Sequence, residues 1–530
     1  MDMHLLSSIK NRFSRHWKVK FHHPLREAEF LAKHGGGAAT IKFQFHHAPS
    51  PADTNAEQKM DYISELPDCI LADILSMLSM KDMLNTCLLS KRLCNLWHLR
   101  RDLKFDQLNV LGSDEELRRA GYYVDVLKNG NQCEHLHLDV LRDEFVRRVD
   151  QFVKNFKGDI IDSIVVQFNL NLAESNIIDQ WIRFAISKGA GRIDVLFLPR
   201  RCYSSSNCYK FPFGLFSESN NSALKHLHLL HCLVCHPENS DLFPLTNLRS
   251  LVLEESHVDQ ILITSLVSNC LLLKELSLFS CTFKSSTLKI VSSSLCHLNL
   301  KGCRFAPETW PFLSLDCLKL TSFEFDMFSL LKRISINAPL LKSIYYASYL
   351  RLIPNSIARF PSLPQLEILT LHVCYSPQAN ISLKDTSALE NVRQLNLSLY
   401  MAHLYEDSEI HIGWILTILQ ACPVLQKLSV MFIGPKFFTE HRDIQDHGMS
   451  YHNEIKVVEM RGCVGNWYEI ELAKNILKYT NKLEQIVLSP YWKDGDMHGW
   501  KSHPKWFQNG RERTREKLSQ EVGWAEVIRI

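Results

Sequence analysis

From residue 133 onward one short pattern of apolar and polar positions recurs along the chain: apolar-x-x-apolar-x-apolar. It starts at Cys133, Ile161, Ile193, Leu224, Leu248, Leu273 and Leu295. It continues from Leu315, Leu341, Leu366, Val392, Leu425, Ile455 and Leu483. Alternation of this kind puts successive side chains on opposite faces of a β-strand. The starts lie 20 to 33 residues apart, enough for one strand and one return segment. No such unit can bury its apolar face alone, so stacked units must share one continuous core.

These features predict a leucine-rich repeat solenoid, an α/β horseshoe-like fold with parallel strands on its concave face, over residues 107–450. A second register supports it. Eight residues after a start stand Asn169, Cys232, Cys281, Cys303, Cys374 and Cys463. Asn and Cys side chains there can reach backbone groups where the chain leaves the strand. Helical segments precede several strands, at 261–270 and 412–422. Residues alternating with the leucines should line the concave side. They include His226, His228, Glu275, Ser277, Phe279, His297, Asn299, Lys301, Lys319, Tyr345, Thr370, His372, Gln394, Asn396, Lys427 and Arg461. This mixed face lacks the dense Lys/Arg stripe of a phosphate-backbone binder. Solenoid concave faces commonly bind proteins, so protein contact is expected most strongly at His226, His228, Glu275, Phe279, His297, Asn299 and Lys301.

Ahead of the repeats the pattern changes to helical spacing. Ile70, Leu71, Ile74, Leu75 and Leu78 share one helix face, and Pro67 can open that helix. Ser79-x-x-Asp82 has capping-box spacing, followed by Leu84, Cys87 and Leu88. Ser90 can cap a third short helix carrying Leu93, Leu96 and Trp97. Three short helices in about 40 residues bury little apolar surface alone. Their apolar faces should meet a partner or the following domain.

The run Leu66-Pro67-x-x-Ile70-Leu71, Ile74-Leu75-x-x-Leu78, Leu88-Leu89-Ser90-Lys91-Arg92 and Leu96-Trp97 resembles a plant F-box over residues 61–106. Leu93 departs from the tryptophan this family often carries there. The resemblance implies docking on a Skp-type adaptor, and through it a cullin, by Leu66, Pro67, Ile70, Leu71, Ile74, Leu75, Leu78, Leu84 and Leu88. His452, Ile455 to Val458, Gly462, Gly465, Glu469, Leu472, Ile476, Leu477, Leu483 and Glu484 resemble the FBD region that ends many plant F-box proteins. It reads as strand, turn, helix and strand, capping the solenoid at 451–490, and 491–530 is a tail with charged helical spacing at 510–523.

The 530-residue composition is globular, 46% hydrophobic and 22% charged, with formal net charge +3. That balance does not point to nucleic acid, and no apolar run approaches a membrane span. The 16 cysteines read as reduced, mostly buried thiols of a nuclear or cytoplasmic protein. Without a secretory route the Asn-x-Ser/Thr triplets at Asn220, Asn380 and Asn396 are chance matches. Residues 1–60 read as a flexible basic leader; the alternative weighed is an organellar transit peptide. The leader carries Gly35–Gly37 and the histidine pairs 22–23 and 46–47.

Cys232-Leu-Val-Cys235-His236 matches a haem-attachment string, and His226, His228 and His231 also suggest zinc. The repeat explains these residues more simply, and no metal or other cofactor is expected. No phosphate-binding loop, zinc-protease helix or nucleophile elbow occurs. With no such motif present, the F-box resemblance implies the expected function: a non-catalytic substrate-recognition adaptor of a Skp–cullin–F-box ubiquitin ligase. The alternative is a protein-binding solenoid unconnected to ubiquitin, with residues 61–106 as its helical cap.

Overall fold

The computed structural model describes residues 20–21, 27–34, 37–44, 66–86, 90–128, 131–136, 138–198, 207–216, 223–235, 245–305, 312–327, 333–348, 363–374, 389–401, 412–439, 446, 448, 450–493, 499–519 and 528–530. The chain divides into two compact units, residues 1–169 with 188–190, and residues 170–187 with 191–530.

In the first unit, residues 66–99 form three short helices, α1 (Asp68–Ser76), α2 (Met80–Thr86) and α3 (Lys91–Leu96), closed by a turn of 3-10 helix. The caps are those the spacing offers. Ser79 Oγ accepts the Asp82 N–H at 3.0 Å, and Ser90 Oγ accepts that of Leu93 at 3.1 Å. Arg92 ties α3 back to the start of α1, donating to Leu66 O and to Asp68 Oδ1, each at 2.6 Å. Trp97 packs 5.0 Å from Phe152 and 5.7 Å from Phe156, at the end of the long helix α4 (Leu138–Asn155).

Strand β1 (Asp102–Asp106) then pairs in parallel with β2 (Ser163–Phe168). The pattern starting at Cys133 is not a strand of this kind. Asn131–Leu136 instead pairs antiparallel with Tyr123–Lys128. The sequence pattern misses β1 because Arg100 holds its first apolar position, ahead of the buried Leu103 and Phe105. Arg100 uses that place to donate to Leu78 O at 3.1 Å and Asp102 O at 2.8 Å. Where the sequence suggests a flexible leader, Lys20–Phe21, Glu27–His34 and Gly37–Gln44 form a three-stranded antiparallel sheet, with His34 opposite Gly37. Two short alternating runs flanking glycine suit such a hairpin. Both histidine pairs lie outside the described residues.

The second unit is a parallel ladder. In spatial and chain order its strands are β3 (Arg192–Phe197), β4 (His226–Leu230), β5 (Ser250–Glu254), β6 (Glu275–Phe279) and β7 (His297–Cys303). They continue with β8 (Ser322–Met327), β9 (Ser343–Ser348), β10 (Ile368–Cys374), β11 (Gln394–Tyr400) and β12 (Lys427–Ile433). The ladder ends with β13 (Val457–Arg461), β14 (Gln485–Ser489) and β15 (Ile528–Arg529). The apolar positions of the pattern form the core: Leu251 and Leu253, Leu276 and Leu278, and Leu298 and Leu300 are buried on successive rungs. Helices α5 (Ser175–Ser187), α6 (Gln260–Asn269) and α7 (Gly413–Gln420) lie on return segments.

Two registers differ from the sequence reading. The rung read from Ile193 is slipped by three residues: Ile193, Val195 and Phe197 face inward, while Leu198 is 46% exposed. The rung read from Leu315 begins at Leu320, with Phe323 and Phe325 in the core. Leu315 belongs to a separate parallel sheet of Thr287–Ser292, Phe312–Cys317 and Arg333–Asn337. Lys319 therefore precedes a strand and is not on the concave face. Two overlapping apolar patterns, Leu315-x-x-Leu318-x-Leu320 and Leu320-x-x-Phe323-x-Phe325, compete here, and Leu318 is left 54% exposed.

The FBD-like stretch is strand, helix α8 (Trp467–Tyr479) and strand, in the expected order. Its strands are rungs of the same ladder. The tail adds helix α9 (Arg511–Leu518) and the final rung β15, which pairs with β14. Among the described residues no helix is long and apolar enough to cross a membrane.

Candidate functional site

The helical module divides its apolar residues between two tasks. Leu71, Leu75 and Leu78 are buried and fill its own small core. Leu66, Ile70 and Ile74 are half-buried, Pro67 is exposed, and Leu84 on α2 is 41% exposed. Met77, between α1 and α2, is also largely exposed. A module of this size stabilises little apolar surface, so outward-facing Pro, Ile and Leu side chains on α1 and α2 favour a covering partner. Leu88 lies outside the described residues.

On the ladder, the parallel register aligns the expected concave residues into rows. Glu275 stands opposite His297, Ser277 opposite Asn299, and Phe279 opposite Lys301. His226 and His228 are two rungs away, beyond Ser250 and Val252. Phe279 is half-buried, flanked by Glu254 and Lys301 on its neighbouring rungs. Lys301 donates to Glu324 Oε2 at 2.6 Å and sits 4.6 Å over the Tyr345 ring. Asn299 Nδ2 also approaches Glu324, at 3.3 Å.

Further along, Asn396 donates to Thr370 Oγ1 at 3.0 Å and accepts from Gln394 at 3.1 Å. Glu459 takes Lys427 at 2.8 Å and Arg461 at 3.2 Å. His372 is half-buried. Several concave charges thus form internal pairs, across rungs as in Lys301–Glu324 and Lys427–Glu459, or within one strand as in Arg461–Glu459 and, at 2.8 Å, Arg192–Asp194. Glu324 is the central residue that sequence reasoning missed, because the rung was set at Leu315. The Leu320-x-x-Phe323-x-Phe325 pattern carries the signal that finds it.

The repeat's Cys slot is structural. The Cys281 thiol reaches Leu253 O at 3.3 Å, and the Cys303 thiol reaches Leu278 O at 3.3 Å. Each closes the exit of its strand onto the preceding rung. Cys232 and Cys463 are fully enclosed, the first 3.5 Å from Leu230 O, the second 3.5 Å from Met460 O. Burial pushes the Cys232, Cys281 and Cys463 thiols up from the ordinary cysteine value. Asn169 fills the slot differently, accepting from Arg142 Nη2 at 2.8 Å.

Within the haem-like string, Cys232 faces the core while Cys235 is half-buried; His236 lies outside the described residues. His231 Nε2 is 3.7 Å from Cys208 Sγ. Among the described residues no group of three or more His, Cys, Asp or Glu could share a metal ion. The side chain of Cys374, and Asn220 and Asn380, are also outside the description.

The residues quoted for the FBD-like stretch surround the start of α8. Glu469, fully buried, accepts the N–H groups of Val464 and Gly465 at 2.9 Å and of Asn466 at 3.2 Å through one oxygen. Gly462 has φ +70°, and a Cβ there would stand 2.0 Å from Phe432 O. His452, buried, bridges Cys422 O at 2.8 Å and the Glu454 N–H at 3.3 Å. These residues hold the last rungs together.

Comparison with known proteins agrees with this architecture. The At1g61320/AtMIF1 leucine-rich repeat domain family matches residues 152–516, and the F-box domain family matches residues 63–105. The F-box/FBD/LRR-repeat protein At1g13570 of Arabidopsis thaliana is 25% identical over 456 residues, covering 82% of this chain and 92% of its own length. The FBD-associated F-box protein At5g56370, also of Arabidopsis, is 29% identical over 166 residues, 31% of this chain and 32% of that protein. The meiotic F-box protein MOF of Oryza sativa subsp. japonica is 26% identical over 199 residues, 33% of this chain and 38% of its own. F-box domains generally bind Skp-type adaptors, and members of this family are typically non-catalytic adaptors. The chain belongs to the plant F-box/leucine-rich repeat family and carries an FBD-like region at its C-terminal end.

Proposed function

We propose that this chain is the substrate-recognition subunit of a Skp–cullin–F-box ubiquitin ligase. Residues 66–99 dock the Skp-type adaptor, and the repeats hold a protein substrate. The observation that carries the reading is the exposed Pro67 and Leu84 and the half-buried Ile70 and Ile74 on a module whose own core is already filled by Leu71, Leu75 and Leu78. Ubiquitin transfer would then belong to other subunits, and this chain would contribute proximity by holding the substrate near the charged carrier. The proposed compartment is nuclear or cytoplasmic, where the buried thiols stay reduced.

A pull-down from plant extract, scored for adaptor, cullin and substrate, tests the assignment. Substituting Phe279→Ala with Lys301→Glu should weaken substrate capture while adaptor and cullin are retained. Lys301→Glu puts a second carboxylate against Glu324, so it alters the face more strongly than loss of one cation alone. Recovery of substrate without adaptor or cullin would favour the second reading, a solenoid whose helical module is only a cap. The packing of Trp97 on Phe152 and Phe156 is the observation on that side.

A further inference from the structure

Between Lys225 and Lys342 the leading edge of the ladder, where each strand begins, carries cations that have no ion pair among the described residues. Lys225, Arg249 and Lys274 occupy the same repeat position, one residue after the apolar start, on three adjacent rungs. Their backbones are stitched directly: Arg249 N donates to Lys225 O, and Lys274 N to Arg249 O, each at 2.8 Å. The same ladder runs on through neutral Cys296 and Thr321 to Lys342. Lys319 lies just before the Thr321 rung. All five cations are exposed, and among the described residues none has a carboxylate within salt-bridge distance. The first acid in this row is Glu367, beyond Lys342. By contrast, many charges on the concave face form internal pairs.

Adjacent parallel strands lie about 4.8 Å apart, and like charges directly opposite one another destabilise a sheet. Three stacked cations without counter-charges therefore store a repulsion that a bound anion relieves. The neighbouring concave row adds one unpaired carboxylate, Glu275, against these cations. Leu272, next to Leu273 and Lys274, adds an exposed apolar side chain at the same edge.

We infer that this edge receives an acidic, extended segment of the protein substrate, with an apolar side chain seated by Leu272. This rests on the reading of the repeats as a substrate platform and names the chemistry of what they hold. From Lys225 to Lys342 the row crosses six rungs, and the five spacings between them cover about 24 Å. That is the length of about seven extended residues at ~3.3 Å each. Such a peptide crosses the strand starts with a carboxylate near each cation, and electrostatic steering speeds its arrival.

The test uses the full chain and a fluorescent peptide with about seven Asp/Glu-rich residues and one Leu, beside its Asn/Gln counterpart. The acidic peptide should bind, and its affinity should fall steeply with added salt; the amide peptide should not bind. Lys225→Glu, Arg249→Glu and Lys274→Glu together should lower affinity by about tenfold or more. The corresponding triple Gln variant should lower it less, which guards against loss of fold. Equal binding of both peptides, undiminished binding by the folded triple Glu variant, or equally tight binding of a single-stranded oligonucleotide would each overturn the inference. The platform reading fails separately, if the wild-type chain captures no substrate from extract.

Discussion

Glu469 shows how one buried side chain can serve the fold and make it sensitive to pH. Burial raises its carboxyl to about 7, against the pull of the three backbone N–H groups that favour the ionised form. An unfolded glutamate titrates near 4.5. Between those values the folded chain keeps a proton that the unfolded chain has lost. Stability therefore falls as pH rises from about 4.5 to about 7, by an amount on the order of 3 kcal/mol from this group. Glu469→Gln keeps an oxygen for the N–H groups and removes the titration. Its unfolding midpoint should vary less over this window than that of the wild type. An unchanged pH profile would show that Glu469 is not the group responsible.

A second residue-scale feature is the position seven after the repeat start. His231, Glu255 and Ser280 hold positive φ there, at 56°, 44° and 50°, as do Gly302 and Gly462. Glycine adopts this conformation without the Cβ strain other residues meet. Ser280→Gly should therefore be neutral, or change stability by less than about 1 kcal/mol. Gly462→Ala combines positive φ with a backbone clash and should cost about 2–4 kcal/mol. Chemical denaturation of both variants checks the pair, and equal effects would contradict the assignment.

At the scale of elements, the repeat strands and the three short helices are legible in the sequence because periodicity reports burial directly. Register is less so wherever apolar residues fall into two overlapping patterns. Leu318 reads as a core position yet lies exposed, while Phe323 and Phe325 take the rung. Arg100 hides β1 because a cation replaces the first apolar residue and uses its place for backbone hydrogen bonds. The split within the helical module is also hidden. One helix-face pattern includes both the buried Leu71 and the half-buried Ile70, and only packing tells core from contact surface. Leu71→Ala should therefore destabilise the module itself, by about 2–5 kcal/mol. Leu84→Asp should leave it folded. Helical signal and thermal unfolding of the two variants separate these roles; similar unfolding by both would mean that Leu84 belongs to the core.

Over the whole molecule, the ladder gives the chain a row-and-column surface in which each repeat position becomes a continuous stripe. The concave stripes carry ion pairs such as Arg192–Asp194, Lys301–Glu324 and Lys427–Glu459–Arg461, while Lys225, Arg249 and Lys274 on the leading edge have no ion pair among the described residues. Candidate recognition residues were visible in the sequence as positions alternating with leucines. Which of them are already engaged was not visible, because Glu324 meets Lys301 and Glu254 meets His228 only across rungs. The apolar docking surface at residues 66–86 supports one proposed activity, and the solenoid supports another.

The central claim is that these helices bind a Skp-type adaptor through the residues they leave uncovered. The most direct measurement is the affinity of the purified full chain for a purified plant Skp-type adaptor, with wild type compared with Ile74→Asp and Leu84→Asp. Burying one such side chain contributes roughly 1.5–3 kcal/mol before costs, so each substitution should weaken binding by about tenfold or more while the chain stays folded. Wild-type binding that is absent, or binding that both folded variants preserve unchanged, would contradict the account.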